Sequence, residues 1–412
     1  MSVPAAAGEL GELLRATLDH PAIGAARLRS EAARESLSAE RSRFLGAGAA
    51  FADTTRYEDQ RFFGVLSPEA FAAPPFARDV TRYGIAYSVP VDLAGALRAS
   101  RAAAAHGLAA AQLAERQTTL LKLADTVSAY VQLQALLRQQ RVLAVQRERV
   151  ARTFERVARQ VQIEQASTAE LKLAEAELSK LRSDEVRLAG AIQQTQAQLF
   201  ESSGRHLLPA SPDIGIPDWD ARLPDSLLPA AVADEQARAA SAQAQAQRRA
   251  LWPGVSAAAD YTQFEGDGES TDAWSVAAKL TLPIDPAGWR RAGAASAQAE
   301  AAVQAGLDAQ RQTERDWSKL AASYASALAD AEALRAEVAA REEVVRVQAE
   351  LQRVGMASLE DFLRQQRDQL EAESRLGSAE AQAVMAWTAG QILAGTSADR
   401  FIETLDKPTG TP

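Results

Sequence analysis

One short sequence motif occurs twice, about half a chain apart. Residues 90–98 read PVDLAGALR and residues 283–291 read PIDPAGWRR, so both fit the pattern P-[V/I]-D-x-A-G-x-x-R. Other landmarks recur in the same order, with Asp53 matching Asp260 and Thr55 matching Thr262. An internal repeat constrains the fold more than any local signal, because each copy is one structural unit. The 412 residues are therefore predicted to be a tandem duplication.

The duplication divides the chain into four segments. We predict a first repeat over 1–203, a linker over 204–226, a second repeat over 227–395 and a C-terminal tail over 396–412. The linker contains four prolines, which argue against a helix or strand there. Each repeat reads as a helix, a strand, a loop, a strand, a very long helix, a short break and a second long helix.

Alternating side chains predict two strands in each repeat. Residues 81–91 and 273–284 place aromatic and branched side chains on one face and small or polar ones on the other, which is the period of a strand. Their partner strands are predicted at about 44–57 and 252–264, where alanine and glycine blur the alternation.

Aromatic residues are concentrated on these strands. Of the 23 aromatic residues, 14 lie within 44–90 or 252–289. Rings gathered on strands, with alanine-rich helices elsewhere, indicate an aromatic girdle at a membrane interface. The core of a β-sandwich is the alternative explanation of the same strands.

The helices are unusually long. No proline occurs from Ala94 to about Val161, which at ~1.5 Å per residue gives on the order of 100 Å of helix. Breaks at about 162–167 and 353–358 predict two helical hairpins, over about 94–203 and 287–395. Heptad spacing predicts a narrow seam between antiparallel helices. The seam residues are Leu171, Ala174, Leu178, Leu181, Glu185, Leu188, Ile192, Thr195 and Leu199, preceded by Val150, Phe154, Val157 and Val161, and repeated by Val344, Val347, Leu351 and Val354.

Composition excludes several classes of protein. No run of 18 apolar residues exists, so no helix is expected to span a bilayer. The first residues show no secretory signal, so we expect either a cytosolic protein or one whose signal was replaced by Met1. There is no cysteine for disulfides, thiolate metal sites or catalysis. The net charge of −9 without a basic patch argues against nucleic-acid binding. Isolated histidines and the absence of catalytic motifs predict no enzyme, metal site or cofactor.

These features together resemble the TolC-like outer-membrane efflux proteins, over nearly the whole chain. Each half of that family tends to carry the strand-to-helix phrase found here at 90–98 and 283–291. The opening helix of the family resembles residues 16–26, where His20 replaces the usual asparagine. A tip phrase R-x-G-x-x-[S/T]-x-x-[D/E] matches residues 353–361.

The resemblance implies a mainly helical fold with a membrane β-barrel portion. Each protomer of a homotrimer would give four strands to a twelve-stranded barrel, continued by a long antiparallel helical tunnel in the periplasm. Four strands cannot close a barrel alone, and an open edge in lipid leaves backbone groups unpaired. The implied function is a passive exit duct of the outer membrane for small molecules or metal ions. Its partners would be outer-membrane lipid, a periplasmic adaptor and, through the adaptor, an inner-membrane pump.

The resemblance also assigns candidate functional residues. Asp361 matches a family aspartate that faces the pore, and three copies would form an acidic ring that favours cations. The family often has a second aspartate where this chain has Arg364, so an Asp361–Arg364 pair at the tip is the alternative. A solvated carboxylate near a helix start is the simpler explanation of Asp361. Glu360 is a further gate candidate, and Glu170 is the counterpart in the first repeat.

The two helical tips are candidates for contact with the adaptor. One tip carries Glu164 where the family usually has glycine, and Gly355 is expected to adopt a positive φ in the other. At the joints between strand and helix, Asp92 and Asp285 are expected to cap the long helices. The tip candidates are Arg353, Gly355, Met356, Ser358, Gln165, Ala166 and Ser167, and the joint residues are Pro90, Asp92, Gly95, Pro283, Asp285 and Gly288.

Two other functions fit parts of the sequence. An exit duct for type I protein secretion would share the whole resemblance. A soluble coiled-coil scaffold would explain the heptads and the missing signal, but not aromatic strands placed identically in both halves.

Overall fold

A computed structural model describes residues 8–64, 74–210, 213–354 and 356–406, without the side chain of Arg353. The chain is mostly helical, at 70%. No helix of these ranges has a segment long and apolar enough to cross a bilayer. The α-helices are α1 (Glu9–Thr17), α2 (Pro21–Ser42), α3 (Ala96–Gln162), α4 (Thr168–Ser203), α5 (Leu228–Arg249), α6 (Pro286–Arg353), α7 (Leu359–Ala394) and α8 (Ala398–Asp406), and the strands are β1 (Ala47–Phe62), β2 (Phe76–Val91), β3 (Gly254–Gly266) and β4 (Glu269–Thr281).

The four strands form one antiparallel sheet in the order β1-β2-β3-β4. Ala50 lies opposite Ile85, Ile85 opposite Tyr261, and Tyr261 opposite Trp274. The central strands β2 and β3 are paired on both sides, whereas β1 and β4 are edge strands. Among the residues that the structure describes, the outer edges of β1 and β4 therefore have no backbone partners.

The first hairpin extends beyond the predicted strands at 44–57 and 81–91. Charged side chains interrupt the apolar alternation there, but backbone pairing continues, with Arg56 opposite Asp79 and Phe62 opposite Phe76. The Arg56 and Asp79 side chains approach to 3.6 Å. At this end of the hairpin, Ala77 and Val80 of β2 are buried with Phe63, whereas the facing residues of β1 are mostly charged and exposed. The apolar alternation therefore ends before the backbone pairing does.

Pro90 lies within β2 rather than after it. The pairing of β2 with β1 ends at Ser88, while its pairing with β3 continues through Pro90 to Val91. Proline has no N–H to donate, so it is tolerated where one side of the strand lacks a partner.

The two faces of the sheet differ in chemistry. One face exposes large apolar side chains, including Ile85, Trp274 and Val276, the last two at 74% and 73% exposure. The other face carries small and polar groups, among them an Arg82–Asp53 ion pair at 2.6 Å. Uncovered apolar area of this extent marks a surface for a partner or a membrane.

The long helices bury narrow seams. α3 has 67 residues and no internal proline, so its backbone hydrogen bonds continue for about 100 Å. In α4, the buried residues include Ala174, Leu181, Leu188 and Leu199, which belong to the predicted heptad.

The seam of α6 runs in a different register from the predicted one. Val344 and Val347 are 40% and 46% exposed in the chain, whereas Val345 and Val338 are buried. The buried positions follow the seven-residue step from Ala331. Two adjacent valines offer two equally apolar stripes, and only packing against α7 selects one of them.

The chain forms two compact units. The first comprises 1–27, 113–230 and 309–412, and the second comprises 28–112 and 231–308. The sheet lies in the second unit, and each unit draws on both predicted repeats.

The described part of the linker, 204–210 and 213–226, contains no helix or strand but is fixed by aromatic contacts. The Trp219 ring lies 5.3 Å from Trp317 and 5.4 Å from Tyr324. The Tyr324 hydroxyl donates to the carbonyl of Pro217 at 2.9 Å. A Cβ on Gly390 would lie 2.4 Å from the Trp219 ring, so only glycine leaves room for it.

The segment predicted as a C-terminal tail contains a helix, α8. Phe401 is fully buried, with its ring 5.4 Å from that of Trp387. Asp406 pairs with Arg15 of α1 at 2.8 Å. Nine residues are too few for a clear helical period, and the contacts come from distant parts of the chain.

Candidate functional site

The first joint connects β2 to α3 through Asp92. Its carboxylate accepts hydrogen bonds from the backbone N–H groups of Leu97 at 3.1 Å and Arg98 at 3.0 Å. Gly95 has φ +76°, and the Arg249 guanidinium donates to its carbonyl at 3.2 Å. Partial burial opposes ionisation of Asp92, but these N–H donors and the Arg98 guanidinium outweigh it and lower the pKa of Asp92.

The second joint repeats this chemistry at Asp285. The backbone N–H of Gly288, assisted by the Arg291 guanidinium and the N–H of Ala287, lowers the pKa of Asp285. A Cβ on Gly288 would lie 2.6 Å from the Asp285 carboxylate, so a larger residue there would make that side chain shift. Pro283 follows the last paired residue of β4, Thr281. Both joints therefore place an aspartate against the positive end of a long helix.

Removing the Asp92 carboxylate is expected to destabilise the start of α3. We expect Asp92→Ala to cost about 1 kcal/mol of unfolding free energy, a typical value for a lost N-terminal cap. The pKa is lower in the folded chain than the ordinary 3.8, so the contribution is present above that value and is lost as pH falls through the folded pKa. Thermal unfolding from about pH 7 to about pH 3 measures both effects.

Asp92→Asn is the matched control for that experiment. It keeps a side-chain oxygen as acceptor but has no titrating proton, so its unfolding should depend less on acid pH than that of the original chain. Identical pH profiles for the two proteins would show that the charge of Asp92 contributes nothing to stability.

The first tip joins α3 to α4 through two capping motifs. The N–H of Gln165 donates to the carbonyl of Gln160 at 2.8 Å, and the N–H of Glu164 donates to that of Val161 at 3.1 Å. Glu164 takes φ 57°, the left-handed conformation that glycine usually fills. Ser167 then forms a reciprocal capping box with Glu170. Ala166 lies between these two motifs.

The second tip is built from corresponding hydrogen bonds. The N–H of Met356 donates to the carbonyl of Leu351 at 2.9 Å, and Ser358 Oγ accepts from the N–H of Asp361 at 3.0 Å. Met356 is 77% exposed. The expectations for Gly355 and for the side chain of Arg353 lie outside the described residues.

Asp361 is bound to its own helix. Its carboxylate accepts from Ser358 Oγ at 2.7 Å and from Arg364 Nη2 at 2.6 Å. The Asp361 side chain is nevertheless 47% exposed, and Glu360 beside it is exposed. Glu170 occupies the equivalent third position of α4. The two repeats thus place their acidic candidates at matching positions, and Arg364 partly neutralises only one of them.

One charged cluster of the structure has no local signal in the sequence. Glu380 of α7 is buried and accepts from Arg138 of α3 at 2.6 Å and from Arg335 of α6 at 2.9 Å. Arg138 also lies 3.4 Å from Asp213 of the linker. Glutamate in a heptad helix usually faces solvent, so no local pattern distinguishes this one. No group of three acidic or histidine side chains suited to a metal ion occurs in the described parts of the chain.

Comparison with known proteins bears on the whole architecture. Residues 13–205 and 228–395 match the model of a family described as outer membrane efflux protein. A search of curated protein sequences finds no match to the chain.

Solved outer-membrane channels share the fold. The Campylobacter jejuni CmeC channel is 15% identical with a TM-score of 0.81, covering 97% of this chain and 89% of its own. VceC from Vibrio cholerae is 18% identical with a TM-score of 0.81, covering 94% and 96%. The open state of the Neisseria gonorrhoeae MtrE channel is 21% identical with a TM-score of 0.76, covering 94% and 88%.

The resemblance to TolC-like proteins inferred from the repeated phrases is confirmed by these matches. The family model covers both predicted repeats and omits most of the linker between them. The chain belongs to the outer membrane efflux protein family.

Proposed function

We propose that three copies of the chain form a passive exit duct through the outer membrane. Each protomer would supply β1–β4 to a closed barrel of twelve strands, and the long helices would continue as a periplasmic tunnel. The observation that carries this proposal is the sheet itself, which is open at two edges and apolar on one exposed face.

Closure of the sheet follows from the physics of lipid. A backbone N–H or C=O without a partner costs several kcal/mol in hydrocarbon, so an open edge is not stable there. β1 and β4 have 16 and 13 residues, more than the roughly 9–11 that a tilted strand needs to span a bilayer. The small and polar face of the sheet would then line the lumen.

The helical tips are the proposed site of contact with a periplasmic adaptor. They expose Gln165, Ser167 and Met356 beside backbone groups fixed by capping motifs. Through the adaptor the duct would receive small molecules or metal ions from an inner-membrane pump. No chemistry on the cargo is required of the duct.

Solubilisation and conductance test the proposal together. We expect the protein to partition into membranes, to run in detergent as a particle three times the mass of the chain, and to form channels in planar bilayers. A monodisperse monomer in aqueous buffer that forms no channels would refute the duct and support a soluble scaffold.

Asp361 and Arg364 are proposed to line the periplasmic gate. Three Asp361 carboxylates near one axis would bind a multivalent cation, while each Arg364 weakens the site. We expect Asp361→Ala to raise the concentration of hexamminecobalt that blocks conductance by at least about tenfold, a difference of 1.4 kcal/mol. Arg364→Ala should lower the blocking concentration, because it removes the neutralising charge.

Glu170→Ala is the matched control for the gate. Glu170 is the third residue of its helix, as Asp361 is of α7, but it belongs to the first tip. The gate assignment predicts unchanged block for this variant. An unchanged block in Asp361→Ala would place the acidic ring elsewhere or show that none exists.

A further inference from the structure

A row of arginines on α3 faces a groove formed with α6 and α7, all within the first compact unit. Three cavities of about 440, 230 and 870 Å³ lie along it. Neighbouring cavities share lining residues, Arg141 and Glu373 between the first two, and Arg149 and Gln369 between the last two. We name this continuous feature the arginine groove. The arginines of α3 that line it are Arg138, Arg141, Arg149, Arg152, Arg156 and Arg159.

The end of the groove at Arg138 is neutralised by the protein. Arg138 and Arg335 both bind the buried carboxylate of Glu380, at 2.6 and 2.9 Å. Asp213 lies 3.4 Å from Arg138. The charges at this end are therefore matched and leave little attraction for a ligand.

The opposite end of the groove is only partly neutralised. Its 870 Å³ cavity is lined by five arginines and two glutamates, and two of these arginines pair with glutamates outside the lining, Arg152 with Glu148 and Arg346 with Glu343. The other three lining arginines form no ion pair with any described residue. Arg156 bonds to the neutral Gln352, and Arg159 to the backbone carbonyl of Glu155. Within the described ranges, Arg149 has neither an ion pair nor a hydrogen bond. A concave surface lined by one sign of charge concentrates ions of the opposite sign.

Two buried amides give independent evidence of a ligand. Gln146 and Gln366 are 5% and 2% exposed, and both line the middle cavity beside Arg149. Neither the oxygen nor the nitrogen of either amide has a hydrogen-bond partner in the described chain. A buried polar group left unsatisfied is costly, and most such groups in folded proteins are paired with protein or a bound molecule. Rotation of either amide toward the cavity would supply a neutral N–H donor beside the guanidinium groups.

We propose that the arginine groove, between Arg149 and Arg159, binds a multivalent oxyanion, either a phosphate or a polycarboxylate. Guanidinium groups present paired N–H donors that match the oxygens of both anions, and such charge-assisted hydrogen bonds are among the strongest in proteins. Arg149, Arg156 and Arg159 would hold the anion, with Gln146 and Gln366 at the inner end. The site does not depend on the chain being a channel, because it lies within one protomer.

Calorimetric titration of the purified full chain at low salt tests the proposal, with pyrophosphate and citrate as separate probes. We expect saturable binding of at least one of them. Arg149→Gln with Arg159→Gln should weaken it by about tenfold or more, as the loss of charge-assisted hydrogen bonds predicts. Tighter binding of pyrophosphate indicates a phosphate site, and tighter binding of citrate indicates a polycarboxylate site.

The matched control is Arg182→Gln with Arg311→Gln. Both arginines are exposed in the same unit and line none of the three cavities. This double variant removes the same net charge as Arg149→Gln with Arg159→Gln, but both positions lie outside the arginine groove. We therefore expect it to bind the oxyanion with unchanged affinity. Equal loss in both double variants would mean non-specific attraction and would overturn the site, as would the absence of saturable binding by either probe.

A second variant tests the amides without changing charge. Gln146→Leu with Gln366→Leu removes two unsatisfied groups together, which is nearly neutral or favourable for stability. We expect this variant to fold and to bind the oxyanion more weakly by severalfold. Full affinity in a folded variant would exclude the amides from the site.

Discussion

Replacing Glu380 by alanine is expected to lower the free energy of unfolding by about 3 kcal/mol, the lower end of the cost of leaving a buried charge without its partner, because Arg138 is mostly buried whereas Arg335 is 48% exposed. The Glu380 side chain is 4% exposed and holds two guanidinium groups, one of which, Arg138, is 16% exposed. Alanine removes the carboxylate but leaves both arginines in place. Thermal unfolding followed by circular dichroism measures the loss.

Two variants make that measurement specific. Glu380→Gln keeps one acceptor oxygen, replaces the other by an NH2 group and loses the charge, so its stability should fall between that of the original chain and that of Glu380→Ala. Glu371→Ala changes an exposed glutamate of the same helix and should unfold within about 0.5 kcal/mol of the original. Equal stability of Glu380→Ala and Glu371→Ala would show that Asp213 and solvent satisfy Arg138 without Glu380.

A lysine on the apolar face of the sheet is expected to block membrane assembly. Val276 is 73% exposed and lies opposite Ala259, beside the pair of Tyr261 and Trp274. If this face meets lipid, Val276→Lys costs about 2–4 kcal/mol near the middle of the bilayer. We expect much less protein in the membrane fraction and no conductance from what remains.

The adjacent residue provides the control, because successive side chains of a strand point to opposite faces. Ala277→Lys places the same charge on the polar face, where Lys279 already lies, and should assemble normally with altered ion selectivity. Equal assembly of the two variants would mean that neither face meets lipid. Failure of both would indicate damage to the strand rather than to a lipid contact.

The sequence predicted the features that depend on local periodicity. β2 and β4 alternate cleanly between large apolar and small or polar side chains, and the helix breaks near Glu164 and Met356 contain their own capping residues. The end of β1 was not predictable in this way, because its last residues are charged on both faces. The predicted register of the α6 seam was wrong for a related reason. Val344 and Val345 are equally apolar, so the local pattern cannot show which of them is buried.

The contacts that depend on distant residues were not predictable from one sequence. Glu380 meets partners 45 and 242 positions away, so its burial has no local signature. The contacts of Trp219 with α6 and the packing of α8 against α1 likewise join residues that are far apart in the sequence. Glu164 was recognised as a departure from glycine, but only the structure shows that it adopts the left-handed conformation despite its side chain.

If the proposed barrel forms, the folding of this sheet is inseparable from the association of its chains. In that barrel the outer edges of β1 and β4 would gain their last hydrogen bonds only from neighbouring chains, so the final step of folding would be intermolecular and its rate would depend on protein concentration. Dilution should favour chains with folded helices and an unfinished sheet. Such chains would pair with any available strand, so aggregation competes directly with correct assembly. The yield of native protein is then set by how soon like chains meet, and not only by the stability of each one.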